Sequence, residues 1–463
     1  MDTGGAVASR SDQLHSHQFV LQRVVGALAM RDPDPVASPL RRIGGALFAG
    51  VLLAALALAA VGIYGALKPG GNNTWRDGRA VIVQEETGTR YVYRDGVLHP
   101  ALNQASAALL AGTTATVMVS GASLGDTPRG APLGIPGAPD PLPAAGALVR
   151  DAWLLCSRPT TARPESLLAI GPTAVAPTPL AADEGLLVAT GGEQYLVWHR
   201  HRHAIRDKGV LGALWAGEPV LPVSPALING LPPGPDLASL TVPDVGHPAA
   251  FGRAVVGQVL KYESVTGSVQ FLIALADGLA PITPVQAGLL MGNGANSSGR
   301  ATEITSGEFD RARKAAAPFT PGAGPDLPAA VPALARAAGG VCASYVDDVT
   351  PPAVGVWREA PPVVGEVRTG GVWQGAVVAD VVRVAPGRGA VVEAASAPGA
   401  AGGALAVVTD QGVRYPVPSP DVLAKLGYAG VRPTRLPASL VALLPGGQAL
   451  DPEAAAKPVP AAG

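Results

Sequence analysis

The chain has 463 residues, with 34 lysines and arginines against 35 aspartates and glutamates, so its formal net charge at pH 7 is −1. Only 15% of the residues are charged, and this neutral balance lacks the basic footprint of a nucleic-acid-binding protein. The 59 glycines and 46 prolines fall just short of the proportion typical of disordered chains and favour short strands joined by turn-rich connections.

An amphipathic helix is predicted near the amino terminus. Ser11 or Asp12 can cap it, and the Asp-Pro pairs at 32–35 end it after about Met30. Its apolar face consists of Leu14, Leu21, Val24, Val25 and Leu28. Because an isolated helix of this length is marginal in water, we expect it to dock on a partner or lie along the membrane surface. The alternative is a partly ordered tail.

A membrane-spanning helix is predicted next. Ile43 to Leu67 is a run of 25 residues without a charged side chain, longer than the roughly 20 residues that cross a bilayer. A signal peptide is the competing interpretation, but its apolar stretch of roughly 7–15 residues would lie closer to the start. Arg41 and Arg42 precede the run, so the positive-inside rule places the amino terminus in the cytoplasm and the bulk of the chain outside. Ala46, Gly50 and Gly62 would permit close approach of another membrane helix.

Both cysteines, Cys156 and Cys342, follow this run. In an oxidising compartment they would form one disulfide, and the alternative is two free buried thiols. Their spacing does not suggest a zinc site, and we expect no metal.

A degenerate pattern recurs four times outside the predicted membrane helix. Each copy consists of a turn with glycine, a short strand, a second turn, a proline and a small apolar helix, in that order. The four copies begin near Gly88, Gly192, Gly267 and Gly412. The irregular spacing excludes a solenoid, which keeps a fixed period. We expect four β-hairpin/helix modules attached to a central domain, in which Ala115 to Val119 and Val377 to Val384 resemble strands.

The predicted fold class is therefore α+β: one amino-terminal transmembrane helix and an elongated extracytoplasmic region with a mainly β central domain and four small repeat modules. The predicted segments are a cytoplasmic helix (1–42), the transmembrane helix (43–67), the first module (68–112), the first half of the central domain (113–180), the second module (181–240), the third module with a linker (241–334), the second half of the central domain (335–405), the fourth module (406–450) and a flexible tail (451–463).

Three motifs bear on catalysis or metal binding. None of the six lysines follows a glycine, so the chain has no GK[ST] phosphate loop. Gly121-Ala122-Ser123-Leu124-Gly125 matches the nucleophile elbow GxSxG, but the prolines that follow favour a loop of small residues. His199, His201 and His203 alternate, as on one face of a strand, but arginines flank them, and an exposed polar face is the better interpretation. No catalytic or metal-binding residue is predicted.

Taken in order, several motifs resemble EccB, the membrane-anchored core component of the actinobacterial type VII (ESX) secretion system. The matching segments are Ser9-Arg10-Ser11-Asp12-Gln13, Thr89-Arg90-Tyr91-Val92, Leu98-His99-Pro100, Pro128-Arg129-Gly130, Gly134-Ile135-Pro136-Gly137, Ile228-Asn229-Gly230-Leu231-Pro232 and Val341-Cys342.

The resemblance implies a structural subunit of an inner-membrane channel complex that supports protein export. It implies assembly in the lipid bilayer with EccC, EccD and EccE, with other EccB copies and with the mycosin protease. Some members are described as ATPases, so the alternative is a membrane-anchored ATPase or other hydrolase with an unrecognised site. Without a phosphate loop, we expect no enzyme activity and no cofactor, with ATP as the one cofactor that the family description suggests.

Overall fold

The computed structural model describes residues 10–30, 39–67, 73–173, 175–292, 299–321, 327–359 and 365–459. The predicted tail is therefore described only to residue 459. The chain divides into two compact units. One contains the residues up to 74 with 84–86 and 118–126, and the other contains the remainder.

Two long helices begin the chain. Helix α1 (Arg10–Met30) covers the predicted amphipathic segment. Helix α2 (Pro39–Leu67) begins four residues before the predicted span, at a proline whose fixed φ suits the first turn of a helix. Within α2, Gly44–Tyr64 is the one stretch of the described residues that is long and apolar enough to cross a membrane.

The rest of the chain is built from short strands and helices. In chain order, the strands are β1 (Val81–Gln84), β2 (Arg90–Arg94), β3 (Val97–Pro100), β4 (Thr116–Val119), β5 (Trp153–Arg158), β6 (Glu165–Ile170), β7 (Thr178–Pro179), β8 (Glu184–Thr190), β9 (Glu193–Trp198), β10 (His201–Ile205), β11 (Leu221–Pro222), β12 (Val259–Glu263), β13 (Val269–Ala274), β14 (Leu279–Ile282), β15 (Thr302–Glu303), β16 (Ala333–Leu334), β17 (Gly340–Tyr345), β18 (Ala353–Trp357), β19 (Glu366–Arg368), β20 (Val372–Trp373), β21 (Ala376–Val377), β22 (Val381–Val384), β23 (Ala390–Ala395), β24 (Ala404–Val408), β25 (Arg414–Val417) and β26 (Thr434–Pro437). The helices are α3 (Gln104–Ala111), α4 (Gly121–Leu124), α5 (Lys208–Leu214), α6 (Pro225–Gly230), α7 (Pro284–Gly292), α8 (Ser306–Arg311), α9 (Pro420–Leu423), α10 (Ala438–Val441) and α11 (Pro452–Ala455), with 3-10 turns at Thr74–Asp77 and Ala145–Ala147 and a π turn at Ala424–Tyr428.

Four sheets share one strand order. They run β3-β2-β1-β4, β10-β9-β8-β11, β14-β13-β12-β15 and β25-β24-β23-β26. In each, three consecutive strands form a meander, a helix follows, and a fourth strand returns beside the first. The returning strand is parallel to the first in the second, third and fourth sheets. The predicted hairpin-plus-helix pattern lacked this strand, because in two of the sheets it is only two residues long.

A seven-stranded central sheet has the order β19-β22-β6-β5-β17-β18-β7 and draws on two separated stretches of the chain. Two details differ from the sequence prediction. The run Ala115 to Val119 contributes β4 to the first sheet. Residues 390–395, predicted for the central domain, form β23 of the fourth sheet. Both runs are rich in β-forming residues, and tertiary pairing decides which sheet each joins.

Three of the buried clusters join more than one sheet. Central-sheet residues Trp153 and Tyr345 share one buried cluster with Leu227 of α6 and Leu440 of α10. A second cluster joins Leu109 of α3 to the fourth sheet. A third joins the second sheet to α7 of the third. Each large apolar side chain removed from water in this way contributes roughly 1.5–3 kcal/mol.

Candidate functional site

Helix α1 presents an apolar surface to solvent. The predicted face is exposed along its whole length, from Leu14 at 61% to Leu28 at 81%. At 3.6 residues per turn its five members fall within one arc of the helix. A helix of this kind gains most of its stability when that face is buried against something else.

The described part of α2 is likewise uncovered, with large side chains such as Phe48 and Leu58 more than two-thirds exposed. A side chain added at Gly50 or Gly62 would meet nothing within 4 Å. Ala46 and Gly50 are four residues apart and lie on one face, where a second membrane helix could approach closely.

A short segment closes the open edge of all four repeated sheets. In the first sheet, the Leu98 N–H donates to the Pro128 carbonyl at 2.9 Å, and the Gly130 N–H donates back to the Leu98 carbonyl at 3.0 Å. In the second sheet, Arg202 makes the same pair of bonds with Pro232 and Gly234, at 3.0 and 2.9 Å. We call these segments edge clips.

The third and fourth sheets repeat the arrangement. Leu279 bonds to Arg313 and Ala315 at 2.8 and 3.0 Å, and Arg414 bonds to Pro445 and Gly447 at 2.9 and 2.8 Å. Three of the four clips have the sequence Pro-x-Gly-x-x-Leu, at 128–133, 232–237 and 445–450. An open sheet edge pairs readily with foreign strands, so each clip blocks one edge of its sheet.

The clip glycine lies against an aromatic ring. A Cβ atom at Gly130, Gly234 or Gly447 would overlap the ring of His99, His203 or Tyr415, respectively. In the third sheet the equivalent pair is Ala315 and Ala280. Where the ring is missing, the glycine is missing as well, so we expect the ring and the glycine to act as one packing unit.

The disulfide lies at the middle of the central sheet. Cys156 of β5 and Cys342 of β17 are direct partners in the antiparallel register and are bonded through their sulfur atoms. Both are fully buried. Of the alternatives left open by the sequence, the structure therefore has the bridge, and it joins the two stretches that build the central sheet.

Two buried carboxylates, those of Asp348 and Asp380, accept hydrogen bonds from residues that are distant in the sequence. Asp380 accepts hydrogen bonds from the Ser166 hydroxyl at 2.6 Å, the Ser166 N–H at 2.8 Å and Arg163 at 2.6 Å. Burial raises the pKa of Asp380, but these bonds outweigh it and hold the pKa below its usual value. Hydrogen bonding from Arg435 similarly lowers the pKa of Asp348. These contacts tie together segments that are 87 to 217 residues apart in the sequence.

The three histidines do not form the predicted exposed face. His199 and Arg200 have φ of 44° and 66° and make the two-residue turn between β9 and β10. His203 is 1% exposed, and its Nδ1 pairs with the Pro235 carbonyl at 2.9 Å. The predicted common face is wrong for His199, because a tight turn places it before β10, and the predicted exposure is wrong for His203, which is buried in β10. Among the described residues, no group of three or more histidine, cysteine or acidic side chains could hold a metal ion.

The Gly121–Gly125 motif is a single helical turn rather than the predicted loop. Helix α4 follows directly after β4, and Ser120 caps it. Ser123 lies buried within that turn, and its hydroxyl lies 3.1 Å from the Ser120 hydroxyl. A nucleophile elbow needs its serine exposed between strand and helix, so this geometry gives Ser123 no such role.

Comparison with known proteins places these features in one family. The family model described as "Type VII secretion system ESX-1, transport TM domain B" matches residues 7–459. The chain is 29% identical to the "ESX-3 secretion system ATPase EccB3" of Mycolicibacterium smegmatis over 95% of its own length and 88% of that protein. It is 33% identical to the "ESX-2 secretion system ATPase EccB2" of Mycobacterium tuberculosis, over 63% of its own length and 60% of that protein.

Solved structures show the same fold. The structure of an EccB3 dimer from the ESX-3 core complex aligns with a TM-score of 0.60 at 26% identity, over 82% of this chain and 100% of that chain. A chain of the periplasmic assembly from the ESX-5 inner membrane complex aligns with a TM-score of 0.64 at 23% identity, over 86% of this chain and 99% of that chain.

Proposed function

Because the chain belongs to the EccB family of the type VII (ESX) secretion system, we propose that it is a structural subunit of the inner-membrane complex that supports protein export. The match over residues 7–459 carries this proposal, since it includes both long helices and all the sheets. The chain acts by joining other subunits rather than by a reaction of its own.

We propose that different surfaces of the chain bind different parts of the complex. The exposed apolar face of α1 docks on a cytoplasmic region of the complex, and α2 packs against a membrane helix through Ala46 and Gly50. The partners are EccC, EccD and EccE subunits, the mycosin protease and further copies of this chain. The name of one aligned structure, an EccB3 dimer, supports the last of these.

We propose that the four sheets with edge clips are the four repeat modules predicted from the sequence. Their common strand order and their matching clip bonds support this assignment. The modules then cover about 81–133, 184–237, 259–315 and 390–450, and the central sheet lies between them in the chain.

We propose that the amino terminus lies in the cytoplasm and the sheets lie in the periplasm. Arg41 and Arg42, which lie at the start of α2 just before its apolar stretch, and the buried disulfide both support this orientation. Variants Asp12→Cys and Val265→Cys test it, because Val265 is fully exposed at the turn between β12 and β13. In intact spheroplasts an impermeant maleimide should label position 265 and leave position 12 unlabelled. The reverse pattern contradicts the orientation.

The experiment that tests the structural role is purification of the tagged full chain from membranes of its host under mild detergent. Mass spectrometry should find EccC-, EccD- and EccE-like subunits in one high-molecular-weight species. A chain recovered alone, at full membrane abundance, contradicts the proposal.

ATP hydrolysis is the competing function, since the names of the M. smegmatis and M. tuberculosis relatives include ATPase. The chain has no lysine after a glycine with which to form a phosphate loop. If the purified chain hydrolyses ATP at a rate that one substitution in it abolishes, the purely structural role is wrong.

A further inference from the structure

The last described residues of the chain run from the fourth repeated sheet to the first. The edge clip of the fourth sheet ends at Leu450, and α11 follows almost directly. A few residues later, the Val459 N–H donates to the Pro132 carbonyl, in the edge clip of the first sheet, at 2.9 Å. Residues 451–459, which we call the strap, therefore connect the two sheets that lie furthest apart in the sequence.

Helix α11 anchors the strap by burying one small side chain. Ala455 is fully buried, and so is Leu450 just before the strap. Both belong to the buried cluster that contains three apolar residues of α3, which are Ala105, Ala108 and Leu109. Because the alanine is fully enclosed, a charged side chain at position 455 would have to leave the cluster and carry α11 with it.

The end of the strap adds a strand to the first sheet. Leu133 of the first clip pairs with Pro458 in an antiparallel bridge. On its other side, the Leu133 N–H donates to the Pro100 carbonyl at 2.9 Å. The clip therefore lies between β3 and the strap. Pro458 has no N–H to offer to a further strand, so the strap also makes this edge of the sheet a poor template for foreign strands.

The first and fourth sheets also touch away from the strap. Helix α3 shares its buried cluster with the π turn at Ala424–Tyr428. The Tyr428 hydroxyl donates to the Pro143 carbonyl, ten residues beyond the first clip, at 2.8 Å. These contacts remain when the strap is removed, so its loss should loosen the junction of the two sheets without unfolding either of them.

We propose that the strap is a latch that locks the first repeated sheet to the fourth, with α11 as its anchor and residues 458–459 as its closing strand. When the latch is open, α3 and the outer side of the first clip lose their cover and become locally mobile, while the second sheet stays intact. This inference concerns a coupling within one chain. It is independent of the docking surfaces on α1 and α2 and goes beyond the proposed function.

A designed crosslink tests whether the latch is closed in the membrane-bound protein. Directly opposed residues of antiparallel strands have Cα atoms about 4.5–5.5 Å apart, within the reach of a disulfide. Mild oxidation of membranes that contain Leu133→Cys with Pro458→Cys should therefore join positions 133 and 458, as detected by mass spectrometry of non-reduced peptides. Leu133→Cys with Val459→Cys is the matched control and should not crosslink, because neighbouring side chains of a strand point to opposite faces.

Hydrogen exchange of the full chain in detergent tests what the latch does. In Ala455→Asp, the amides of α3 and of the first clip at 128–133 should exchange roughly tenfold faster or more, while those of β9 and β10 keep their rates. A chain ending at Asp451 should show the same pattern without a buried charge. Lys457→Asp puts the carboxylate at an exposed position of the strap and should exchange like the wild type.

Three results would overturn the proposal. The first is the absence of a crosslink between positions 133 and 458. The second is unchanged exchange of α3 and the first clip in the chain that ends at Asp451. The third is a rise in exchange that is as large in β9 and β10 as in the first clip, since this would show a general loss of stability and not the opening of one latch.

Discussion

Gly447 lies so close to the ring of Tyr415 that a Cβ atom at position 447 would overlap it. The two residues belong to the edge clip and the third strand of the fourth sheet. Gly130 with His99 and Gly234 with His203 repeat the relationship, whereas the third sheet has Ala315 with Ala280. The contact between clip and strand is therefore filled in two ways: by an aromatic ring against a glycine in three sheets, and by two alanines in the third sheet.

Gly447→Ala should destabilise the protein, because its new methyl group must displace the Tyr415 ring or the clip. Overpacking of this kind typically costs about 1–3 kcal/mol, measured as a shift in the urea midpoint. Gly446→Ala is the matched control, since its Cβ would be at an ordinary 3.7 Å from Arg414 and should be nearly neutral.

Combining Gly447→Ala with Tyr415→Ala reproduces the pair found in the third sheet. The double variant should be less destabilised than the sum of the two single variants, by about 1 kcal/mol or more. Simple additivity would show that ring and glycine are not one packing unit.

Replacing Cys156 and Cys342 together by alanine should cost much of the stability of the central sheet. The bridge spans a sequence separation of 186 residues. The chain-entropy account gives roughly 4–5 kcal/mol for a loop of this size. Urea unfolding of the full chain in detergent measures the loss, and reducing agent should bring the wild-type protein to the same midpoint. A loss below about 1 kcal/mol would show that the bridge is dispensable.

Asp380→Asn should destabilise the protein at neutral pH and much less in acid. The folded-state pKa of Asp380 is lowered, so its ionised form contributes stability above the unfolded value of about 3.9. That contribution is lost as the pH falls through the folded pKa. The gap between the melting temperatures of the wild type and Asp380→Asn should therefore be constant above about pH 5 and narrow below about pH 4. Exposed Asp126→Asn is the control, and a gap that does not change with pH contradicts this role.

The features of the fold that the sequence predicts are those with a local signal. The uncharged run from Ile43 predicts a membrane-spanning helix from its length and composition. The face of α1 follows from the helical period. The Asp95-Gly96 turn has positive φ at both residues, as expected for that pair.

The features that could not be predicted depend on distant partners. Strands β11 and β15 have two residues each, too few for a period. The edge clips bond to strands about 30 residues earlier, and nothing local marks Pro-x-Gly as a pairing segment. The turn at His199 and Arg200 uses positive φ without glycine or asparagine, so it resembled continuous strand.

The most direct test of a role in assembly is native electrophoresis of membranes that contain Leu21→Asp with Val25→Asp. Burying carboxylates in an apolar interface costs several kcal/mol, so the variant should be absent from the high-molecular-weight complex while reaching wild-type abundance in the membrane. His15→Asp with Gln22→Asp places the same charges on another face of α1 and should assemble normally. Normal assembly and secretion by Leu21→Asp with Val25→Asp would contradict the account.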